Sequence, residues 1–373
     1  MKIMQIYKDY FPPIRGGIEG HINLLANGLE QRGHDVEVLV SNRKCKYEAE
    51  NIDGIRVIKV PQLNRIASAP LNYSLFFWMK KLGEKADILH FHLPNPTAVM
   101  SYLISGLKKK AVVTYHSDIV RQQKLALLYR PFLKYFLNRI DRIIATSPNY
   151  VESSKILHQY QLKCQVVPLG IPLSRFALQS DNQLKVDLLR QAHGKRLILF
   201  IGKFRYYKGL HVFIEAMKQV NGKLLLIGGG YLEEDLKKQV TANGLDGKVT
   251  FLGELSDNDA TAFLRACDVF VLPSVERSEA FGIVQLEAMA CGKPVICTEL
   301  GTGTTFINQH QKTGIVVEPN KPEALANAIN LLLDRPELRT QYGQAGFKRV
   351  EKYFSVDRMI NDLNALYDTC LSS

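Results

Sequence analysis

The sequence predicts two doubly wound α/β domains in tandem, on three observations. Apolar strand-like runs alternate with amphipathic helical stretches from end to end, which calls for parallel sheets joined by right-handed crossovers. The alternation breaks once, at Pro168-Leu169-Gly170-Ile171-Pro172, and then restarts; two prolines and a glycine interrupt any periodicity there. The length of 373 residues suits two domains at roughly 150 residues each.

Taken in order, the strands expected in the first half are Lys2–Tyr7, Val36–Val40, Ile55–Val60, Asp87–His92, Ala111–His116, Arg142–Ser147 and Gln165–Leu169. Several are nearly continuous Val/Ile/Leu, as strands covered on both faces should be. Between the first two, Ile18, Ile22, Leu25 and Leu29 mark one face of a helix that stops at Gly33. The second half repeats the scheme with Arg196–Lys203, Lys223–Gly228, Val249–Gly253, Asp268–Ser274, Pro294–Thr298 and Gly314–Val317, then closes on helices over Pro322–Leu333, Pro336–Glu351 and Ser355–Leu371. No repeat of 20–50 residues is visible.

Composition narrows the class. With 46% hydrophobic and 23% charged residues, the chain is an ordinary globular protein and not a disordered one. No apolar run reaches the ~18 residues of a membrane span, and the polar start Lys2–Asp9 is not a signal peptide. The six scattered cysteines, with no CxxC pair, read as reduced, mostly buried thiols of a cytoplasmic protein. The net charge of +12 is one-sided: residues 1–172 hold 24 Lys+Arg against 13 Asp+Glu, a net of +11. Such a surface attracts nucleic acid, anionic lipid or a phosphorylated ligand.

In open α/β sheets ligands bind beyond the carboxyl ends of the strands, and the candidate motifs fall there. Ser278–Glu287 (SEAFGIVQLE) follows the strand Asp268–Ser274 and is expected to open a helix running to Ala290. The first amides of that helix, at Phe281, Gly282 and Ile283, would form an anion site with the helix dipole. Gly282 would let a phosphate approach the backbone. Glu287, one to two turns in, could accept two hydrogen bonds from a ribose diol, while Glu279 would reach sugar hydroxyls. Gly202–Gly209 (GKFRYYKG) sets Lys203, Arg205 and Lys208 at a strand end, which suits a diphosphate at roughly 1.5–3 kcal/mol per charge-assisted contact. Arg15-Gly16-Gly17-Ile18-Glu19 is a phosphate-approach loop lacking the full GxGxxG spacing. Thr114-Tyr115-His116-Ser117-Asp118 ends another strand, where His116 could hydrogen-bond a substrate hydroxyl. Gly228-Gly229-Gly230 is a further strand-end turn.

Three patterns point elsewhere and are set aside. His90 and His92 share a strand face, but no cysteine or carboxylate cluster completes a metal site. Asp257-Asn258-Asp259 has metal-binding spelling but reads as a helix N-cap after Leu255-Ser256. Glu279 and Glu287, one in a loop and one on a helix flank, fit ligand holding better than a glycosidase acid/base pair.

Together these segments resemble the retaining glycosyltransferases of family 4, whose GT-B fold has two Rossmann-like domains facing across a cleft. The resemblance covers nearly the whole chain: YFPPIRGGIEGHINLLANGLEQRGHDVEVL, VVTYHSDI, GKFRYYKG, VTFLGEL and SEAFGIVQLEAMACGKPVI. The glutamate–seven–glutamate motif is the most specific mark, and Glu279 and Glu287 match it. The resemblance implies that Glu287 holds the ribose, that Glu279 and the amides of Phe281–Ile283 contact the donor sugar, and that Lys203 and Lys208 hold the diphosphate. It further implies that Gly17 approaches the phosphate or sugar, that His116 sits beside the donor sugar, and that the backbone at Leu255 contacts the base. The family usually carries arginine at Lys203; Arg205 supplies the missing fork, or Lys203 acts as a point charge. The last helix, 355–373, is expected to return to the first domain, giving domains of 1–170 plus 355–373 and 171–354.

The implied activity is transfer of a hexose, mannose from GDP-mannose being favoured over UDP-hexoses, with retention and without metal or cofactor. The acceptor, a glycan or polyprenyl-diphosphate-linked sugar of polysaccharide or O-antigen synthesis, is assigned to the first domain with Glu19 and Asp118 as contacts. The basic first half would then dock on the anionic inner face of the cytoplasmic membrane at up to ~1 kcal/mol per cation, through Leu75–Lys81 and the helical stretch Arg121–Arg142. A core-packed helix with a solvated cationic edge is the simpler account of that stretch. The rival functions are another sugar-nucleotide enzyme of this fold, an epimerase or phosphorylase, and a nucleic-acid-binding protein, for which no reader motif is present.

Overall fold

The computed structural model describes residues 1–12, 16–66, 69–120, 123–177 and 180–372; Arg15 and Arg121, both named above, lie outside them. The chain divides into two compact units, Met1–Gly170 with Val356–Ser373, and Ile171–Ser355.

The first unit is built on an eight-stranded sheet. Its strands are β1 (Lys2–Ile6), β2 (Asp35–Asn42), β3 (Glu48–Ile52), β4 (Ile55–Pro61), β7 (Ile88–Leu93), β8 (Lys110–Tyr115), β9 (Arg142–Ala145) and β10 (Cys164–Val166); β5 (Asn64–Ile66) and β6 (Ala69–Leu71) pair separately. The order is β10-β9-β8-β7-β1-β2-β4-β3. All neighbours run parallel except β3, which is antiparallel to β4. That strand departs from the expected all-parallel sheet. It is largely exposed, so no apolar run announces it, but Asp53 and Gly54, both at positive φ, supply the two-residue turn that favours a hairpin. The strand expected at Gln165–Leu169 is also shorter and earlier, at Cys164–Val166.

The closing helix Val356–Ser372 buries Met359, Ile360, Leu363, Leu366, Tyr367 and Cys370 in the same core as Ile22, Leu25 and Leu29 of the helix Gly17–Glu30. The two helices meet so closely at Gly28 that a Cβ there would stand 2.8 Å from the Ile360 side chain. An amphipathic helix needs an apolar partner, and this one finds it 330 residues earlier in the chain, with Arg32 and His34 hydrogen-bonding Asn361 and Asn364 at the rim.

The second unit is a six-stranded parallel sheet of β11 (Leu197–Ile201), β12 (Lys223–Ile227), β13 (Val249–Gly253), β14 (Val269–Leu272), β15 (Val295–Thr298) and β16 (Gly314–Val317) in the order β13-β12-β11-β14-β15-β16. This is the Rossmann order, with its topological switch between β11 and β14. Pro322 and Pro336 open two of its helices at the first position, where the missing N–H costs nothing. All six cysteines are free thiols, but only Cys267, Cys297 and Cys370 are buried and Cys45 is exposed. No helix among the described residues is long and apolar enough to cross a membrane.

Candidate active site

The residues singled out from sequence fall into two groups, one in each unit. In the second unit Lys208 and Glu279 meet at the switch point, where the loops following β11 and β14 leave the sheet side by side. Gly202 follows β11 and donates its amide to Ile227 O at 3.0 Å; Phe204 N donates to Gly229 O at 2.8 Å. A Cβ at Gly228 would stand 2.1 Å from Gly202 O, and one at Gly230 2.5 Å from Phe204 O. The triple glycine is therefore the bed on which the basic loop lies. A 3₁₀ turn, Tyr206–Lys208, is stopped by Gly209 in the left-handed conformation. A Cβ at Gly209 would collide with Pro273 O at 2.0 Å, and Val275 N donates to Tyr207 O at 2.8 Å. The two loops are thus zipped together.

That zipper brings Lys208 Nζ to 2.5 Å from Glu279 Oε2, and Ser274 Oγ donates to the same oxygen at 3.0 Å. Thr302 Oγ1 donates to the Glu279 carbonyl at 2.8 Å. Burial works against the charged form of Lys208, but the Glu279 carboxylate outweighs it and raises the lysine above its usual value; Arg205 is close enough for its charge to oppose this. Arg205 and Lys203 are both exposed, and Lys203 has no side-chain partner among the described residues.

The expected helix start needs correction. The helix is Val284–Ala290, only seven residues, with Ile283 as its N-cap. Phe281, Gly282 and Ile283 belong to the preceding loop, because Gly282 takes φ +79. A Cβ at Gly282 would meet Gln285 at 2.7 Å and Leu272 at 2.8 Å, so the helix cannot extend backward through an ordinary residue. The three amides still donate to no acceptor among the described residues. Phe281 itself is buried against Phe354. Leu255 lies between β13 and the helix Asp257–Ala266. Ser256 caps that helix through Asp259 N, while Asp257 and Asp259 pair with Arg175 and Lys185.

Glu287 sits in the first turn of its helix, with Arg175 Nη1 3.8 Å from its carboxylate. Sequence reasoning did not find Arg175, a lone arginine just past the interdomain prolines with no motif to mark it. Burial raises the Glu287 carboxyl above its ordinary value, with Arg175 partly offsetting this. A carboxyl raised on folding binds more protons in the native state, so it subtracts stability as pH rises through that window. Glu287→Gln should therefore raise the Tm at pH 7 and leave it little changed near pH 4. Calorimetry at the two pH values checks the sign.

In the first unit, Gly17 opens the helix Gly17–Glu30, is exposed and has open space around it. Glu19 is buried, and its carboxylate covers Gly16 so closely that a Cβ there would clash. It stands at the third helical position, where a glutamate folds back over its own helix start. Asp118 accepts from Tyr115 Oη and Ser154 Oγ, both at 2.9 Å, which ties its loop to the neighbouring helix. These contacts give Glu19 and Asp118 structural work within the first unit. His116 follows β8 and belongs to a buried cluster. The ligand nitrogens of His21, His92 and His116 lie within 4.8 Å of one another. The pair His90 and His92 therefore does acquire ring partners, but they are histidines brought from the helix after β1 and the end of β8, which no local spacing reveals.

A doubly wound fold with a lysine, a carboxylate and unsatisfied amides at a strand-order switch has its polar groups where open α/β sheets bind ligands. Comparison with known proteins makes the class specific. Residues 15–175 match the description "Glycosyltransferase Family 4", and residues 185–349 match "Glycosyl transferases group 1". The chain is 39% identical over its full length, and that of the relative, to "O-antigen chain mannosyltransferase C" of Escherichia coli. It is 36% identical over 95% of its length and 92% of the relative's to "D-rhamnosyltransferase WbpZ" of Pseudomonas aeruginosa. Among solved structures it resembles a sucrose-phosphate synthase from Thermosynechococcus elongatus (TM-score 0.81, 23% identity, covering 100% and 99% of the two chains). It also resembles WaaG, a glycosyltransferase involved in lipopolysaccharide biosynthesis (TM-score 0.73, 21% identity, 100% of each chain). The chain belongs to the family 4 glycosyltransferases, with the GT-B fold, and is a hexosyltransferase.

Proposed function

We propose that this enzyme transfers a hexose, mannose from GDP-mannose first, to a hydroxyl of a polyprenyl-diphosphate-linked or other glycan acceptor in O-antigen polysaccharide assembly, with retention of configuration and without a divalent metal. The observation that carries it is the Lys208–Glu279 pair beside the free amides of Phe281–Ile283. The names of the relatives, a mannosyltransferase and a D-rhamnosyltransferase, support a mannosyl or rhamnosyl donor.

In this reading the diphosphate lies against Lys208, Arg205, Lys203 and the loop amides. These positive groups meet the charge that develops as the sugar–phosphate bond loosens, each worth on the order of 10²–10³ in turnover. Glu287 takes the ribose and the backbone at Leu255 the base. Glu279 positions the sugar. One oxygen of its carboxylate is already held by Lys208 and Ser274, which suits a fixed hydrogen-bond acceptor better than a nucleophile. The acceptor hydroxyl then attacks from the face the phosphate leaves, and the departing phosphate takes its proton. The acceptor occupies the first unit, with His116 facing the sugar substrate.

The test is to incubate the protein with a panel of nucleotide sugars and lipid-linked acceptors and measure the nucleotide released. GDP release from GDP-mannose that persists in EDTA, with an α-linked product by NMR, is expected. Transfer abolished by EDTA and restored by magnesium or manganese overturns the metal-free account.

The enzyme also docks, in this reading, on the anionic inner face of the cytoplasmic membrane. The helix Gln123–Arg139 exposes Leu127, Leu128 (73% exposed), Phe132 and Tyr135 beside exposed Arg130 and Lys134, while Leu133, Phe136 and Leu137 face the core. The helix Leu75–Gly83 exposes Phe76 and Phe77 with Lys80 and Lys81. Two apolar patches set among cations fit an anionic headgroup layer. Flotation should show binding to vesicles with phosphatidylglycerol and little to neutral ones, and Leu128→Glu/Phe132→Glu should reduce it about tenfold. Equal binding to both vesicles counts against docking by charge.

A further inference from the structure

The buried polar groups beneath His116 form one continuous donor-to-acceptor chain. Gln5 Oε1 lies 2.7 Å from His92 Nε2. A carbonyl oxygen only accepts, so His92 carries its proton on Nε2. Its Nδ1 is then a bare lone pair, and His116 Nε2, 3.0 Å away, must donate to it. On the other side the Gln5 amide nitrogen faces the Tyr367 hydroxyl at 3.5 Å. That hydroxyl is 2.6 Å from His90 Nδ1, whose ring reaches Thr114 Oγ1 through Nε2 at 2.7 Å. With Gln5 in this orientation, a single direction of donation, from His116 to His92, Gln5, Tyr367, His90 and Thr114, satisfies every one of these contacts. Burial keeps the rings neutral, so each has a single proton to place: it pulls His21 down to about 4 and His90 to about 3, and it holds His92 and His116 well below their usual value.

We propose that Tyr367, Gln5 and His92 are positioning residues that lock His116 in its Nε2–H tautomer, so that its bare Nδ1 accepts a hydrogen bond from a sugar hydroxyl. The closing helix thereby sets the chemistry of a ring at the end of β8, because Tyr367 holds the amide of Gln5 in the orientation that His92 reads. This rests on the reading that His116 faces the sugar substrate. A substrate lacking that hydroxyl leaves a lone pair without its donor, and such sites reject the deoxy analogue strongly.

Long-range ¹H–¹⁵N NMR of the full chain labelled with ¹⁵N-histidine tests the lock directly, with His116 assigned by the loss of its signals in His116→Asn. The wild type should show His92 and His116 protonated at Nε2. Tyr367→Phe and Gln5→Met should give His116 a mixture of tautomers, and Gln5→Glu, still an acceptor towards His92, should restore the Nε2–H form. With GDP-mannose, the first two variants should lower kcat several-fold with KM nearly unchanged, and Gln5→Glu should recover it. A proton on Nδ1 of His116 in the wild type, or an Nε2–H form that survives Gln5→Met, overturns the proposal. One equivalent of zinc retained by the wild type and lost in His21→Asn overturns it too, because the metal would take the bare nitrogens. The expected tautomers without GDP release support the lock and refute the donor assignment instead.

Discussion

Lys208→Met is expected to cut sugar transfer by about 10²–10³ in kcat and also to lower stability, whereas Lys208→Met/Glu279→Gln should regain most of the stability and remain inactive. The side chains are 12% and 9% exposed and their charged atoms lie 2.5 Å apart. Removing one partner strands the other charge in a buried site, which costs about 3–5 kcal/mol; removing both charges is often nearly neutral. The double variant thus separates chemistry from folding. A single variant with wild-type turnover would show that the pair plays no part in transfer. The pH dependence follows from the same contact. The folded-state value of Lys208 is raised, so its contribution is complete at neutral pH and is lost only as alkaline pH passes the usual lysine value. Wild-type Tm should fall more steeply than that of the double variant above that point, and thermal melts across the alkaline range check it.

Gly209→Ala is expected to destabilise the second unit by about 2–4 kcal/mol and to remove activity, through backbone conformation alone. The residue takes φ +69, and its Cβ would stand 2.0 Å from a backbone carbonyl that cannot move without displacing β14. Left-handed strain and overpacking each cost roughly 1–3 kcal/mol. Gly228→Ala should behave alike, since its Cβ meets Gly202 O at 2.1 Å. Gly247, with open space around it and no positive φ, is the control: Gly247→Ala should leave both Tm and turnover unchanged. Chemical denaturation of the three variants decides the matter, and a Gly209→Ala protein as stable as the control would refute the zipped-loop account.

Much of this molecule was legible in the order of its residues. Continuous runs such as Leu197–Ile201 can only be buried strands, the prolines at 168 and 172 mark the break between units, and the apolar stripe of the last helix demands a partner. Periodicity and strand-end position, which carry that information, are local properties of a chain. They located Lys208, Glu279 and Glu287, and with the family resemblance they named the class of enzyme. They did not give β3, whose side chains are largely exposed and so form no apolar run, nor the true helix start at Val284, which the left-handed Gly282 sets. Nor could they show that the triple glycine is a bed for the basic loop, that Arg175 stands by Glu287, that Glu19 covers Gly16, or that Asp118 holds the hydroxyls of Tyr115 and Ser154. The histidine cluster is the clearest case. Gln5, His21, His92, His116 and Tyr367 come from five separate elements, and no spacing along the chain relates them. Sequence determines which groups are available; only the pairing of strands and the return of the final helix decide which of them meet, because a hydrogen bond depends on ångströms in space and not on separation along the backbone.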